Sequence, residues 1–374
     1  MQHESEPRAW VEVDVEAVAH NLGVARRAAE GAQLMPVVKA NAYGHGLETV
    51  ARRLDGEGLA FFGVANVGEA RRLAQAGVRT CPFILGPTPP QEREEILLRS
   101  WGCTVSTLEE AEHFEALAAL HGREMVLHLA VDTGMGREGF LPEQLGSVVP
   151  RLRELTHVHV SGVMSHFPAA DEDAAFTREQ AALFADCVAE LRRSFELSYC
   201  HIAASAGELG YRVPVANMVR PGLILYGVSP IESSLAAELR LTLRLLSRVV
   251  LVRELPAGHG VSYGRSWVAP QATRVATVGI GYADGWNRHL GGAAGAMVCI
   301  HGNPCPVLGR VTMDMLMVDV SALPSVAAGD EVELIGACQP VEQVAAWAGT
   351  IPWEIFTGLG VRLPRIYKEL TPQA

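Results

Sequence analysis

The chain has 374 residues, 49% apolar and 20% charged, with a formal net charge of −11; it is long enough for two domains and apolar enough for a large core. The acidic balance disfavours general binding to nucleic acid or an anionic membrane, yet leaves room for a local basic site holding one small phosphate, so the expected partner is a small molecule. Seven cysteines without a Cys-x-x-Cys pair read as reduced thiols, no apolar run reaches a membrane span, and the amino-terminal Met-Gln-His-Glu-Ser-Glu-Pro-Arg lacks a signal-peptide layout, so a cytoplasmic location is expected.

Val11-Glu12-Val13-Asp14 alternates as a strand does, and Asp14 can cap a helix running to about Glu30. Eight short apolar segments follow, at about 34–40, 61–65, 82–86, 102–106, 125–131, 158–164, 199–204 and 222–226. Helical patterns at 67–76, 107–121 and 172–195 separate them, which fits an α/β chain closing into a (β/α)8 TIM-type barrel better than an open sheet. From about Leu241 the segments SRVVLVREL, TRVATVGIGYA, AMVCIHG, LMVDVSAL and DEVELIGA read as strands, with a helical patch near 341–348. The expected division is 11–240 for the barrel and 241–374 for a mainly-β domain, which the strand at about 10–14 joins.

Lys39 ends the apolar run Leu34-Met35-Pro36-Val37-Val38 and precedes a glycine-containing loop. Apolar surroundings favour a neutral amine, the form that makes a Schiff base with an aldehyde cofactor; on position alone a lysine snorkelling to water is the better reading, and the chain that follows reverses it. In a barrel the carboxyl ends of the strands share one mouth. His166 follows strand six there, Ser205 follows strand seven, and Arg220-Pro221-Gly222-Leu223 leads into strand eight. Ser205, the amides of Gly222 and Leu223 and the hydroxyl of Tyr43 can cradle a phosphate, and a lysine beside such a cradle suggests pyridoxal 5'-phosphate. Blander readings apply elsewhere. His157-x-His159 lacks a third ligand, so no metal site is expected. Met313 and Met315 read as core, and Gly291-Gly292-Ala293-Ala294-Gly295 as a surface loop rather than a phosphate loop.

Val38-Lys39-Ala40-Asn41-Ala42-Tyr43-Gly44-His45-Gly46, Asp132-Thr133-Gly134-Met135-Gly136-Arg137, Ser165-His166-Phe167, Arg220-Pro221-Gly222, Gly260-Val261-Ser262-Tyr263-Gly264, Gly281-Tyr282-Ala283-Asp284-Gly285 and Gly309-Arg310-Val311-Thr312-Met313-Asp314 occur in that order. In this combination the chain resembles the alanine racemases, fold-type III pyridoxal-phosphate enzymes that supply D-alanine for peptidoglycan. The resemblance implies two catalytic bases, Lys39 on the face giving the D-amino acid and Tyr263 on the other; racemisation needs both, because the proton leaves one face and returns on the opposite one. Arg137, with His166, His201 and Arg220, is expected to supply the positive charge that favours the tyrosine's phenolate.

It further implies that Arg220 faces the pyridine nitrogen, that Arg137 and the Met313 amide hold the substrate carboxylate, and that Asp314 orders its surroundings. The resemblance also implies that Tyr282 and Asp284 line the substrate entrance, although Gly-Tyr-Ala-Asp-Gly makes sense simply as a turn as well. A homodimer with shared sites is implied, Tyr263 and Met313 coming from the partner. Three positions depart from the family pattern: Ala130 replaces a lysine that is often carbamylated and orients the active-site arginine, Ala204 replaces an asparagine, and Val361 replaces a tyrosine that narrows the pocket. The last departure implies relaxed specificity towards serine or other small amino acids. Two rivals are a decarboxylase of the same fold, whose glycine-rich phosphate loop and catalytic cysteine are not evident here, and a non-catalytic pyridoxal-phosphate binding protein.

Overall fold

A first strand, β1 (Ala9–Val13), buried along its whole length, stands apart from the eight following it in the chain. Those eight are β2 (Gln33–Leu34), β3 (Phe62–Val64), β4 (Pro82–Ile84), β5 (Gly102–Val105), β6 (Met125–Ala130), β7 (Val158–Met164), β8 (Tyr199–Ala204) and β9 (Met218–Arg220). The computed structural model describes residues 7–292 and 295–370; most of the amino-terminal stretch tested above for a signal peptide, and Ala293-Ala294 of the glycine-rich loop, lie outside them.

β2 to β9 pair in parallel in the order β2-β9-β8-β7-β6-β5-β4-β3. The ring closes where Val37, just beyond β2, bridges Gly63 of β3; the Val38 amide donates to the Gly63 carbonyl and the Gly63 amide to the Pro36 carbonyl, each at 2.9 Å. Helices between the strands start on side-chain caps: Asn66 for Val67–Gln75, Thr107 for Leu108–His121 and Asp173 for Ala174–Leu191. Among the described residues, no helix is long and apolar enough to cross a membrane. Met35, Phe83 and Met218 fill the barrel with Phe61, Leu85 and Tyr199 around them, and the His128 ring stacks on Tyr199 at 5.3 Å.

The eighth barrel strand corrects the sequence reading, since it precedes Pro221-Gly222 instead of following it. Pro221 has no N–H for a ladder, and Gly222 leaves extended backbone at φ −123°, ψ −91°. The apolar run behind them, Leu223–Tyr226, is a buried 3-10 turn. A short buried run has no periodicity to tell the two apart. The consequence is functional: Arg220 ends strand eight and so stands at the barrel mouth.

Contacts group Val18–Ala42 and Leu47–Arg240 into the barrel unit, and Tyr43–Gly46 with the described residues up to Ala17 and from Leu241 onward into a second unit. There β1 lies between the long strand Leu243–Leu255, antiparallel, and Arg365–Tyr367, parallel. The long strand pairs with Glu331–Ile335 over its first half and with Thr273–Val278 over its second, its register breaking between Val249 and Leu251. Leu316–Asp319, Asn303–Leu308 and Met297–Ile300 complete the sheet, and Val341–Ala348 is helical.

Asn303–Leu308 is hard to read as a strand because of Pro304 and Pro306. Both prolines fall on the stretch paired to Met297–Ile300, whereas only Val307 and Leu308 pair with the other neighbour. A second correction concerns cysteine. Cys299 and Cys338 are joined as a disulfide, with Cα atoms 6.4 Å apart, while Cys81, Cys103, Cys187, Cys200 and Cys305 are free. Residue spacing gives no sign of the bond, because Cys299, on the strand Met297–Ile300, and Cys338, in the bend after Glu331–Ile335, come together only in the folded sheet.

Gly162 of β7 tests the barrel packing. A Cβ there would lie 2.5 Å from Cδ2 and 2.6 Å from Cγ of the buried His128 ring. Gly162→Ala is therefore expected to cost about 1–3 kcal/mol in urea unfolding. Gly146→Ala, on a helix with open space around it, is expected to gain up to about 1 kcal/mol. Equal midpoints for the two variants would contradict this packing.

Candidate active site

Lys39 opens a turn of the wrong hand. Ala40, Asn41, Ala42 and Tyr43 all have φ between 51° and 57°, a left-handed conformation that costs L-residues about 1–2 kcal/mol each. Hydrogen bonds hold the barrel part of this segment. One Glu69 oxygen accepts from the Ala40 amide at 2.7 Å, its other oxygen from Ala65 at 2.8 Å, and Asn41 Oδ1 accepts from Leu47 and Arg72. Strain held this firmly marks a site where side-chain direction matters. The Lys39 ammonium makes no hydrogen bond or ion pair with any described residue, and burial, then Arg137 and Arg220, lower its pKa from the ordinary value.

Arg220 is buried and faces only neutral acceptors. Its Nη1 donates to His201 Nδ1 at 2.7 Å, and its Nη2 to the Ser165 carbonyl at 2.7 Å, the Ile202 carbonyl at 3.1 Å and His166 Nδ1 at 3.2 Å. Both histidines must then carry their proton on Nε2, and His201 Nε2 in turn meets His128 Nδ1 at 2.9 Å. Burial and the neighbouring arginine hold His128 and His166 down at about 3 and His201 well below its ordinary value. This corrects the expectation that His166 and His201 lend positive charge to a phenolate, since both are neutral. Burial and Arg137 also lower Arg220 itself, to about 10, which leaves it charged at neutral pH.

Arg137 lies on the loop after β6, closed by reciprocal hydrogen bonds between Phe140 and the Ala130 and Asp132 backbone at 2.8 and 2.9 Å. Asp132 Oδ1 accepts three amides of the turn, from Gly134, Met135 and Gly136. Glu138 Oε1 accepts from Arg137 Nη2 at 2.9 Å and Nε at 3.3 Å. Half of the Arg137 side chain remains exposed, so its other N–H groups are open to a ligand.

The residues fit pyridoxal phosphate. Ser205 Oγ accepts from the Gly222 and Ile224 amides at 3.0 and 3.4 Å, leaving its own proton to donate. The Leu223 amide and Arg220 Nε make no bond with any described residue. Of the two amides expected at a phosphate, Gly222 is thus engaged by Ser205 and Leu223 is open. Burial pushes the Tyr43 hydroxyl up to about 12, which keeps it a donor, whereas Ala204 offers no side-chain donor.

In the second unit, Tyr263 is exposed on a short turn after Ser262, whose hydroxyl donates to the Arg310 carbonyl at 2.6 Å. Tyr282, Met313 and Asp314 are together: Tyr282 N–H donates to the Thr312 carbonyl and Ala283 N–H to that of Met313, at 3.1 and 3.0 Å. The Met313 amide has no partner among the described residues. Arg362 donates to Asp314 at 2.8 Å and Arg8 at 3.5 Å, and both reach the buried Asp284. The hydrogen bond from Arg362 is the main reason the Asp314 carboxyl stays below its usual range.

Sequence reasoning missed Glu69, Glu138, His128, Arg8 and Arg362. Only Glu138, next to Arg137, carried a local signal; the others act over distances that no spacing reveals.

A closed barrel followed by a mainly-β unit, with a lysine amine near two guanidinium groups at the barrel mouth, defines a class of two-domain barrel proteins. Family models described as alanine racemase, N-terminal domain, and alanine racemase, C-terminal domain, match residues 13–230 and 242–367. Alanine racemase of Geobacter sulfurreducens is 38% identical over 370 residues, 95% of this chain and 96% of that one. The crystal structure of alanine racemase from Streptomyces lavendulae superposes with a TM-score of 0.92 at 35% identity, covering 98% of this chain and 99% of that one. Another from Bartonella henselae, solved with covalently bound pyridoxal phosphate, gives 0.89 at 29% identity, covering 97% of this chain and 100% of that one. The chain belongs to the alanine racemase family.

Three neutral buried histidines make stability depend on pH. Below about 6.5 the unfolded chain binds protons at positions 128, 166 and 201 that the folded barrel refuses, so this contribution is complete above 6.5 and is lost as pH falls towards 3. Glu208, buried without a hydrogen-bond partner among the described residues and pushed well above its ordinary value by that burial, works in the opposite sense. As pH falls from 6.5 to 5 the unfolding free energy in urea is expected to fall, by up to about 1.4 kcal/mol per pH unit for each histidine whose proton the fold refuses. His128→Asn is expected to make that slope shallower by one histidine's share, and a flat profile in the parent would contradict neutral histidines.

Proposed function

We propose that this chain is a pyridoxal-phosphate-dependent racemase that interconverts L- and D-alanine. Lys39 and Tyr263 are its two bases, and it works as a homodimer in which the partner's Tyr263 and the partner's Met313 complete each site. The observation that carries the reading is Lys39, held by a strained turn near Arg137 and Arg220 with no hydrogen-bond or ion-pair partner among the described residues. When bound, pyridoxal phosphate draws electrons from the amino acid's α-carbon and so acidifies its proton. Ser205, the Leu223 amide and Tyr43 hold the phosphate, and Gly222 orients Ser205.

Arg220 can only donate. It would therefore leave the pyridine nitrogen of bound pyridoxal phosphate unprotonated, moderating the electron withdrawal and disfavouring side reactions such as transamination. His166 would contribute to the cofactor site as a neutral group, and His201 fixes Arg220. Arg137 and the Met313 amide hold the substrate carboxylate while Asp314 and Tyr282 shape the approach. Lys39 Nζ removes or returns the proton on the D face, and Tyr263 Oη does so on the L face. The biological role that fits is D-alanine supply for peptidoglycan in the cytoplasm.

In deuterated water, L-alanine is expected to yield D-alanine carrying α-deuterium. Tyr263→Phe should cut racemisation at least about 100-fold while D-alanine still exchanges its α-hydrogen. Carbon dioxide release would instead indicate a decarboxylase, and binding without exchange a carrier. Equal loss of exchange from both enantiomers in Tyr263→Phe would contradict two separate bases.

Val361 is fully exposed on the turn before Arg362 and supplies neither the ring nor the hydroxyl of a tyrosine. The alanine-to-serine ratio of kcat/KM is expected to be low in the parent and to rise about tenfold in Val361→Tyr, the range of one modest steric contact. An unchanged ratio would refute relaxed specificity by this route.

A further inference from the structure

In the family pattern a lysine at position 130, often carbamylated, orients the arginine at position 137, yet here position 130 is alanine. The chain contains one lysine besides Lys39. That residue, Lys368, is paired with Glu12 at 2.5 Å in the second unit, so the barrel unit has no second lysine from which a carbamate could form. A small cavity takes the place of the long side chain, lined by Ala130, Arg137, Glu138, Met164, Ser165 and His166. Glu138 presents its carboxylate there, with its side chain only 7% exposed. One oxygen accepts twice from Arg137, and the other is buried without a hydrogen-bond partner among the described residues.

We propose that Glu138 is the positioning residue for Arg137, a genetically encoded carboxylate in place of the lysine carbamate. The inference rests on the reading of Arg137 as the holder of the substrate carboxylate. A guanidinium has five N–H donors in a rigid plane. Glu138 uses Nε–H and one Nη2–H, which fixes that plane and leaves the Nη1 pair and the second Nη2–H for a substrate.

The loop backbone gives Glu138 a fixed base. Gly139, at φ +110°, brings the chain so close that a Cβ there would lie 2.8 Å from the Asp132 nitrogen and 3.0 Å from the Ala130 carbonyl oxygen. The closed loop thus sets position 138 beside position 130. The charge matters as well as the geometry: Arg137 lowers the Lys39 pKa, and Glu138 raises it. One carboxylate therefore both orients the arginine and limits its effect on the lysine. Because it needs no carbon dioxide to form, the device operates equally with and without bicarbonate.

The test compares the parent, Glu138→Gln and Glu138→Asp as folded, cofactor-loaded proteins. Steady-state alanine racemisation gives KM and kcat, and calorimetric titration with propionate, a carboxylate without an amine, gives a binding constant independent of turnover. Glu138→Gln is expected to raise KM for alanine and Kd for propionate together, about tenfold, with kcat changed less than about threefold. Glu138→Asp keeps the charge and should recover at least half of the lost affinity. Ala130→Lys/Glu138→Gln should regain affinity when bicarbonate is added, to which the parent is indifferent. Unchanged KM and Kd in Glu138→Gln, or a Glu138→Asp variant no better than Glu138→Gln, would overturn the role of Glu138 alone. A parent that neither racemises alanine nor binds propionate would overturn the reading of the site as well.

Discussion

Three cations share one end of the barrel: the Lys39 ammonium and the guanidinium groups of Arg137 and Arg220. Like charges at such range repel, and burial strengthens the repulsion. The surroundings answer in three ways. Histidines 128, 166 and 201 stay neutral and add no charge, while Arg220 is solvated by carbonyl oxygens and imidazole nitrogens. Glu69 and Glu138 offset part of the field at Lys39. What remains is an excess of positive potential, suited to a phosphate and a carboxylate, beside an amine more easily deprotonated than an ordinary lysine.

The strained turn serves the same end. Left-handed backbone over four residues without a glycine is unfavourable in isolation, and it persists because Glu69 and Asn41 bind its amides and its neighbours. Rigidity at Lys39 comes from these contacts rather than from packing of its own side chain. Ser205 and Arg137 are fixed in the same manner, one by the Gly222 and Ile224 amides and the other by Glu138. Each reactive or binding group therefore has a hydrogen-bonded support close behind it.

Much of this was legible in the residues. Apolar runs separated by capped helical patterns announced the repeated βα unit, and Lys39 stood out as a lysine at the end of such a run. The eighth strand was misassigned, because Leu223–Tyr226 and Met218–Arg220 are both short and apolar and only the hydrogen-bond ladder distinguishes them. Pro304 and Pro306 hid a strand whose prolines sit on its unpaired side. The Cys299–Cys338 bond and the support that Glu69 lends Lys39 join segments 39 and 29 residues apart, so composition and periodicity carry no trace of either. The charge state of His166 and His201 was misjudged for a related reason: it depends on burial beside Arg220, a property of the folded barrel.

The most direct test of the account is the pKa of the Lys39 amine in the cofactor-free protein, measured by competitive amine labelling across pH and read at the Lys39 peptide; only one other lysine, Lys368, is present. The account predicts a midpoint below 10.5 that moves upward when Arg137 is replaced by alanine. A midpoint at or above 10.5, indifferent to that substitution, would contradict it.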